Sequence, residues 1–169
     1  MELISSDTNV WVDFAVINRL NLPFLLPYTY IMYEESMDHE LIYPPGIGED
    51  LKRLGLQSVQ ISIEEFTLAQ NYSKTYKRLS VEDRIALAVA KNRGIKLLTG
   101  DKAMRNAASI EGVKVIGTLG ILDKLINENF IIEEEYAYCL SELKRLNGGN
   151  IRLPVEEIEK RMKRIKRSE

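Results

Sequence analysis

The chain has 169 residues, 45% hydrophobic and 28% charged, with a net charge of −2. That fits one ordinary globular domain burying about two-thirds of its unfolded surface. One cysteine, Cys139, and one histidine, His39, exclude an internal disulfide and a zinc site of any usual ligand set. No apolar run approaches the ~18 residues of a membrane span, and Met1-Glu2-Leu3-Ile4 leads straight into a strand pattern, so a cytoplasmic protein is expected.

Residues 2–6 read as a strand, and Asp7-Thr8-Asn9 as its junction with a helix carrying Trp11, Val12, Ala15, Val16 and Leu20. Pro23 and Pro27 bracket an expected second strand at residues 24–26, followed by a helix over 29–40 that holds Glu34 and Glu35. The Pro/Gly-rich stretch 43–48 reads as a loop, 49–54 as a short helix and 58–62 as a third strand. Ala69, Tyr72, Tyr76 and Leu79 recur at helical spacing over 64–79. The helix over 84–93 is apolar nearly all round, as in the interior of a layered α/β structure.

Gly94 ends that helix, 95–98 reads as a buried strand, and Thr99-Gly100-Asp101 leads into a helix over 102–110. A fifth strand at 113–116 and helices reaching 127 and spanning 133–146 follow. Asn147-Gly148-Gly149-Asn150 reads as a linker, dividing a main domain at 1–146 from a C-terminal extension at 147–169. Within that extension, residues 160–167 carry six positive charges and no acid, which suits either a nucleic-acid partner or a solvated terminal helix. Five strands, each followed by a helix, predict a three-layer α/β/α domain with a mostly parallel five-stranded sheet. Ligands of such sheets bind beyond the carboxyl ends of the strands.

Asp7 and Asp101 lie at such ends, and Asp83 begins the buried helix, three residues after Ser80. Each has a competing explanation: Asp7 and Asp101 as helix N-caps, Asp83 as the acid of a capping box with Ser80. Glu35 sits inside its expected helix, where the competing explanation is a solvated face. What capping leaves unexplained is the convergence, since carboxylates about 5 Å apart repel by ~3 kcal/mol per pair at an effective dielectric near 20. A hard divalent cation, Mg²⁺ or Mn²⁺, relieves that repulsion with oxygen ligands alone, and metal-dependent phosphodiester hydrolysis is the chemistry expected of such a site.

The segments SSDTNVWVDF (5–14), MYEES (32–36), LSVEDRIALAVAKNRGIKLLTGD (79–101) and VIGTLGILDKLI (115–126) together resemble PIN-domain proteins, especially the VapC-like ribonuclease toxins. The resemblance implies a Mg²⁺- or Mn²⁺-dependent endoribonuclease, plausible as the toxin of a type II toxin–antitoxin pair. Its metal-holding acids would be Asp7, Glu35, Asp83 and Asp101, with Glu34 as the alternative to Glu35. Thr99, two residues before the fourth acid, would orient a carboxylate, and Asn9 is a candidate polar support. RNA, a cognate antitoxin protein and a second copy of the chain are the partners it implies.

Lys102 and Arg105 can hold a phosphate beside Asp101, or merely solvate a helix face. Tyr72 and Tyr76 can stack on bases, although their spacing suits a core or dimer contact better. His39 is expected at the surface, and Cys139 buried in a helix. The rival reading is a PIN fold that binds nucleic acid or protein without turnover.

Overall fold

The computed structural model describes residues 1–168. Its strands are β1 (Glu2–Ser6), β2 (Tyr28–Tyr33), β3 (Gln57–Val59), β4 (Lys96–Leu98) and β5 (Val115–Ile116). They form one sheet in the order β3-β2-β1-β4-β5, with every pair parallel. Nine helices surround it among the described residues: α1 (Thr8–Val16), α2 (Glu34–Glu40), α3 (Ile47–Leu54), α4 (Ile63–Thr75), α5 (Val81–Arg93), α6 (Lys102–Glu111), α7 (Thr118–Asn127), α8 (Glu133–Arg145) and α9 (Val155–Ser168). This is the expected three-layer fold. No helix among the described residues is long and apolar enough to cross a membrane.

The layers follow from the pleat, which sends successive side chains of a strand to opposite faces. Leu97 of β4 enters the core packed by α4, α5 and α6, whereas its neighbour Leu98 enters the core packed by α1, α7 and α8. Leu87 to Ala90 of α5 are buried, in keeping with the apolar character of that helix. Cys139 of α8 is buried as well.

The second strand differs from expectation. Leu22–Leu25 is a short 3-10 turn with Pro23 near its start, and the strand lies instead at Tyr28–Tyr33, where a helix was expected. Pro23 presets the φ of a turn, while the aromatic and β-branched run Tyr28-Thr29-Tyr30-Ile31 favours a pleated, half-buried surface. The following helix therefore begins only at Glu34, which resets the direction of every side chain on it.

The sheet order carries the chain outward from β1 through β2 to β3, then back across to β4 on the other side of β1. The switch in strand order thus falls between β1 and β4. At their carboxyl ends the backbone N–H of Asp7 donates to the Leu98 carbonyl at 2.9 Å. Behind α8, Asn147 grips Leu153 in both directions, its amide donating to the Leu153 carbonyl at 2.9 Å and its Oδ1 accepting from the Leu153 N–H at 3.1 Å. Ile151 and Ile158 are fully buried in the larger core, and Arg161 of α9 pairs with Asp123 of α7 at 2.8 Å. Glu169, the last residue of the expected extension, lies outside the described residues.

Candidate active site

Three helices start at one place, and each has an acid in its N-terminal cap. Asp7 caps α1, its Oδ1 accepting from the Thr8 N–H at 2.8 Å. Asp101 caps α6 through Oδ2, which accepts from the Met104 N–H at 2.9 Å. Asp83 closes a capping box at the head of α5: its Oδ2 accepts from the Ser80 N–H at 3.0 Å, and the Ser80 hydroxyl accepts from the Asp83 N–H at 3.1 Å. Capping and convergence are therefore not alternatives. The caps fix the orientation of the three carboxylates, and the partial positive ends of the helices offset part of their mutual repulsion.

The end of β4 ties the group together. The buried hydroxyl of Thr99 donates to Asp7 Oδ2 at 2.9 Å and accepts from the Asp101 N–H at 3.2 Å. Asn9 in the first turn of α1 accepts from the Gly100 N–H at 3.1 Å. Gly117 lets the start of α7 approach this strand end, since a Cβ there would meet the Thr99 carbonyl at 3.3 Å.

Asp7, Asp83 and Asp101 line one cleft, and the glutamate that joins them is Glu40. Thr8 Oγ1 donates to Glu40 Oε2. Glu34 and Glu35 occupy the exposed first turn of α2, where Glu34 accepts from Gln60 Nε2 at 2.6 Å and Glu35 faces the Tyr33 hydroxyl. Because α2 is only seven residues long and begins at Glu34, its inward side is Ser36 and, one turn on, Glu40. Sequence reasoning missed Glu40, although its four-residue spacing from Ser36 was visible. His39, exposed as expected, nonetheless stands on the rim of the same cleft. Lys102 and Arg105 line the adjoining stretch beside Asp101. Tyr72 is buried, and both it and Tyr76 donate to Glu111 within the smaller core, away from the acids.

A family profile described as a PIN domain matches residues 3–167. The chain belongs to the PIN-domain family. Comparisons with curated proteins and with solved structures find no match. PIN domains are generally nucleases and generally use divalent metals.

In this PIN domain burial, with neighbouring charge added to it, raises three of the acids, Asp7, Asp83 and Glu40. Burial, then the charge of Asp83, pushes the Asp7 carboxyl up to about 7, against the pull of its bonds from Thr8 and Thr99. Burial raises Asp83 too, aided by Asp101 and Glu82. Glu40 is raised by burial, with Glu82 and Asp83 adding to it. Carboxylate oxygens suit a hard cation, and the chemistry of Asp7 in particular favours one: a buried carboxylate without a cationic partner gains most from it. As placed, no three acidic, histidine or cysteine groups among the described residues are close enough to ligate a single ion. Mg²⁺ does not require three, because it is commonly held by one or two carboxylates and keeps several waters.

Beneath the cleft, Asp13 of α1 is buried and accepts from the Thr118 hydroxyl at 2.6 Å. Burial pushes its carboxyl up to about 7. This pair pins α1 to the head of α7, and nothing in the sequence singled it out.

Proposed function

We propose that the protein is a Mg²⁺- or Mn²⁺-dependent endoribonuclease whose acids are Asp7, Asp83, Asp101 and Glu40, with Glu40 in the part that the family resemblance gave to Glu35. The observation that carries the reading is the convergence of three acid-capped helices on the switch between β1 and β4, with Thr99 bonded to both Asp7 and Asp101. A divalent cation bound there supplies Lewis-acid stabilisation and an activated water for phosphodiester hydrolysis. Asp7, buried and raised, is the carboxylate that gains most from it. Thr99 holds Asp7 by Oδ2, Asn9 holds the Gly100 turn, and Lys102 and Arg105 draw the RNA phosphates towards Asp101.

The test is calorimetric titration with Mn²⁺ of the wild type and Asp7→Asn, followed by cleavage of a mixed RNA pool by the same samples. Metal binding and cleavage lost together in the variant support the reading. Mn²⁺ binding with no cleavage of any pool favours the rival, a PIN fold that binds without turnover, for which the spacing of the acids speaks. Absence of metal binding sinks both the metal site and the nuclease. The toxin reading extends this proposal: induced expression arrests growth, a cognate antitoxin relieves the arrest, and Asp7→Asn abolishes it. A homodimer is proposed as the working unit, to be checked by light scattering.

A further inference from the structure

β5 is an edge strand, paired on one side only, with β4, among the described residues. Towards β4 it offers the carbonyls of Lys114 and Ile116, which accept from the Leu97 and Thr99 N–H groups at 2.9 and 3.0 Å. Successive residues of a strand turn their backbone groups to opposite sides, so Val115, between those two, points its N–H and C=O away from the sheet. Gly117, still extended at φ −116° and ψ −175°, points its N–H the same way. These groups are left for a further strand.

What faces them is a cleft of about 490 Å³. Its two walls differ because they come from the two layers. The wall from α6, in the layer of the smaller core, presents Arg105 and Ser109. The opposite wall, from the head of α7 and the connection between α8 and α9, presents Leu119, Leu153 and Pro154. Glu157 and Arg161 lie on this second wall too, but they pair with each other at 3.0 Å, and Arg161 also holds Asp123 at 2.8 Å. Arg105, unlike Arg93 and Arg161, has no ion-pair partner among the described residues. Proteins protect sheet edges by shortening them or by covering them. β5 is short, and the α8–α9 connection covers it, held in place by buried Ile151 and by the two bonds between Asn147 and Leu153. The cover stands off from the edge, however, and the interval is a slot.

We propose that this slot takes an extended segment of a partner polypeptide as a sixth strand beside β5, with apolar residues alternating with acidic ones. Alternate side chains of a strand point to opposite faces. One set therefore meets Leu119, Leu153 and Pro154, and the other meets Ser109 and Arg105, whose free guanidinium pairs with a carboxylate. Main-chain bonds to Val115 and Gly117 hold the segment, and the two walls choose its sequence. A phosphodiester backbone has no N–H to give the Val115 carbonyl. The inference is independent of the nuclease reading and needs no metal.

The probes are blocked hexapeptides in which valine alternates with glutamate, with lysine or with serine, and shuffled versions that break the alternation. Binding to the full chain in EDTA is followed by amide chemical shifts and hydrogen exchange. The alternating glutamate peptide binds most tightly, its shuffled version about 5-fold more weakly, and the Val115 and Gly117 amides shift and gain protection. N-methylation of alternate peptide residues separates the two edges of the bound strand. On the set facing β5 it lowers affinity about 5-fold per bond lost, and on the other set it changes nothing. Arg105→Ala, an exposed position, weakens the glutamate peptide about 3- to 10-fold and leaves the serine peptide within about 2-fold, with an unchanged melting curve to confirm the fold. The proposal is overturned if no peptide shifts Val115 or Gly117, if the shuffled peptide binds as well as the alternating one, if N-methylation acts equally on both sets, or if the lysine peptide binds best. It is overturned equally if oligo-U shifts these two amides more than the glutamate peptide does, or if they shift with protein concentration alone, which assigns the edge to a second copy of the chain.

Discussion

Asp7→Asn, the change expected to abolish cleavage, should make the metal-free protein more stable. Asp7 is 6% exposed, and its carboxyl is raised from 3.8 to about 7 in the fold. The native state therefore holds a proton that the unfolded chain has released. The resulting cost is absent below the unfolded value, grows as pH rises towards 7, and is fully present above it. A rise of about three units corresponds to ~4 kcal/mol at 1.36 kcal/mol per unit, an upper bound. Asparagine keeps one oxygen to share between the Thr8 N–H and the Thr99 hydroxyl, so about half of that gain survives. About 2 kcal/mol in a domain of this size raises Tm by roughly 4–8 °C. The assay is thermal unfolding in EDTA at pH 8 and pH 5. The variant melts above wild type at pH 8 and level with it at pH 5. Asp13, raised in the same direction, is present in both proteins and cancels in the difference. A variant that melts at or below wild type at pH 8, or whose advantage is equal at the two pH values, refutes the reasoning.

Glu40→Gln lowers Mn²⁺ affinity and cleavage by about 10- to 100-fold, whereas Glu35→Gln stays within about 2-fold because the residue is exposed and outside the cleft that holds Asp7; equal losses would return the role to Glu35. Thr99→Val removes the bonds to Asp7 and Asp101 and destabilises by about 1–3 kcal/mol, read from urea midpoints at pH 7. Arg93→Ala strands the buried carboxylate of Glu65, which burial would raise but which Arg93 and the Ser62 amide hold down to about 2. Arg93 is partly exposed, so the loss is about 1–2 kcal/mol at pH 7. The pair's contribution exists above the ordinary glutamate range and disappears as pH falls from about 4.5 to 2, so wild type and variant converge in acid.

Much of the layered fold could be read from local rules. The apolar run at the end of α5, the glycine that ends it and the strand after it follow from helix periodicity and capping, and each appears where it was expected. The misplaced second strand shows where such rules give way: two prolines framed a turn, and Tyr28–Tyr33, buried on both faces, lacks the alternation that marks a half-exposed strand. That one displacement shifted the start of α2, and with it the identity of the glutamate turned towards Asp7. Asp7, Asp83 and Asp101 were visible because capping places acids at helix starts. The Asp13–Thr118 bond was not, since it joins residues 105 positions apart by tertiary proximity that no short window of sequence contains.

The bond from the Asp7 N–H to the Leu98 carbonyl has a kinetic meaning as well. β1 pairs first in sequence with β2, its near neighbour, but Asp7 meets Thr99 only when β4 docks on the other edge of β1, closing a loop of about 90 residues. A partly folded chain that has joined β1 to β2 and not yet received β4 lacks the bonds from Thr99 and the charge of Asp101 beside Asp7. The β1–β4 pairing is the longest-range one of the sheet, so the acidic cleft is completed only by the contact that costs most in loop closure.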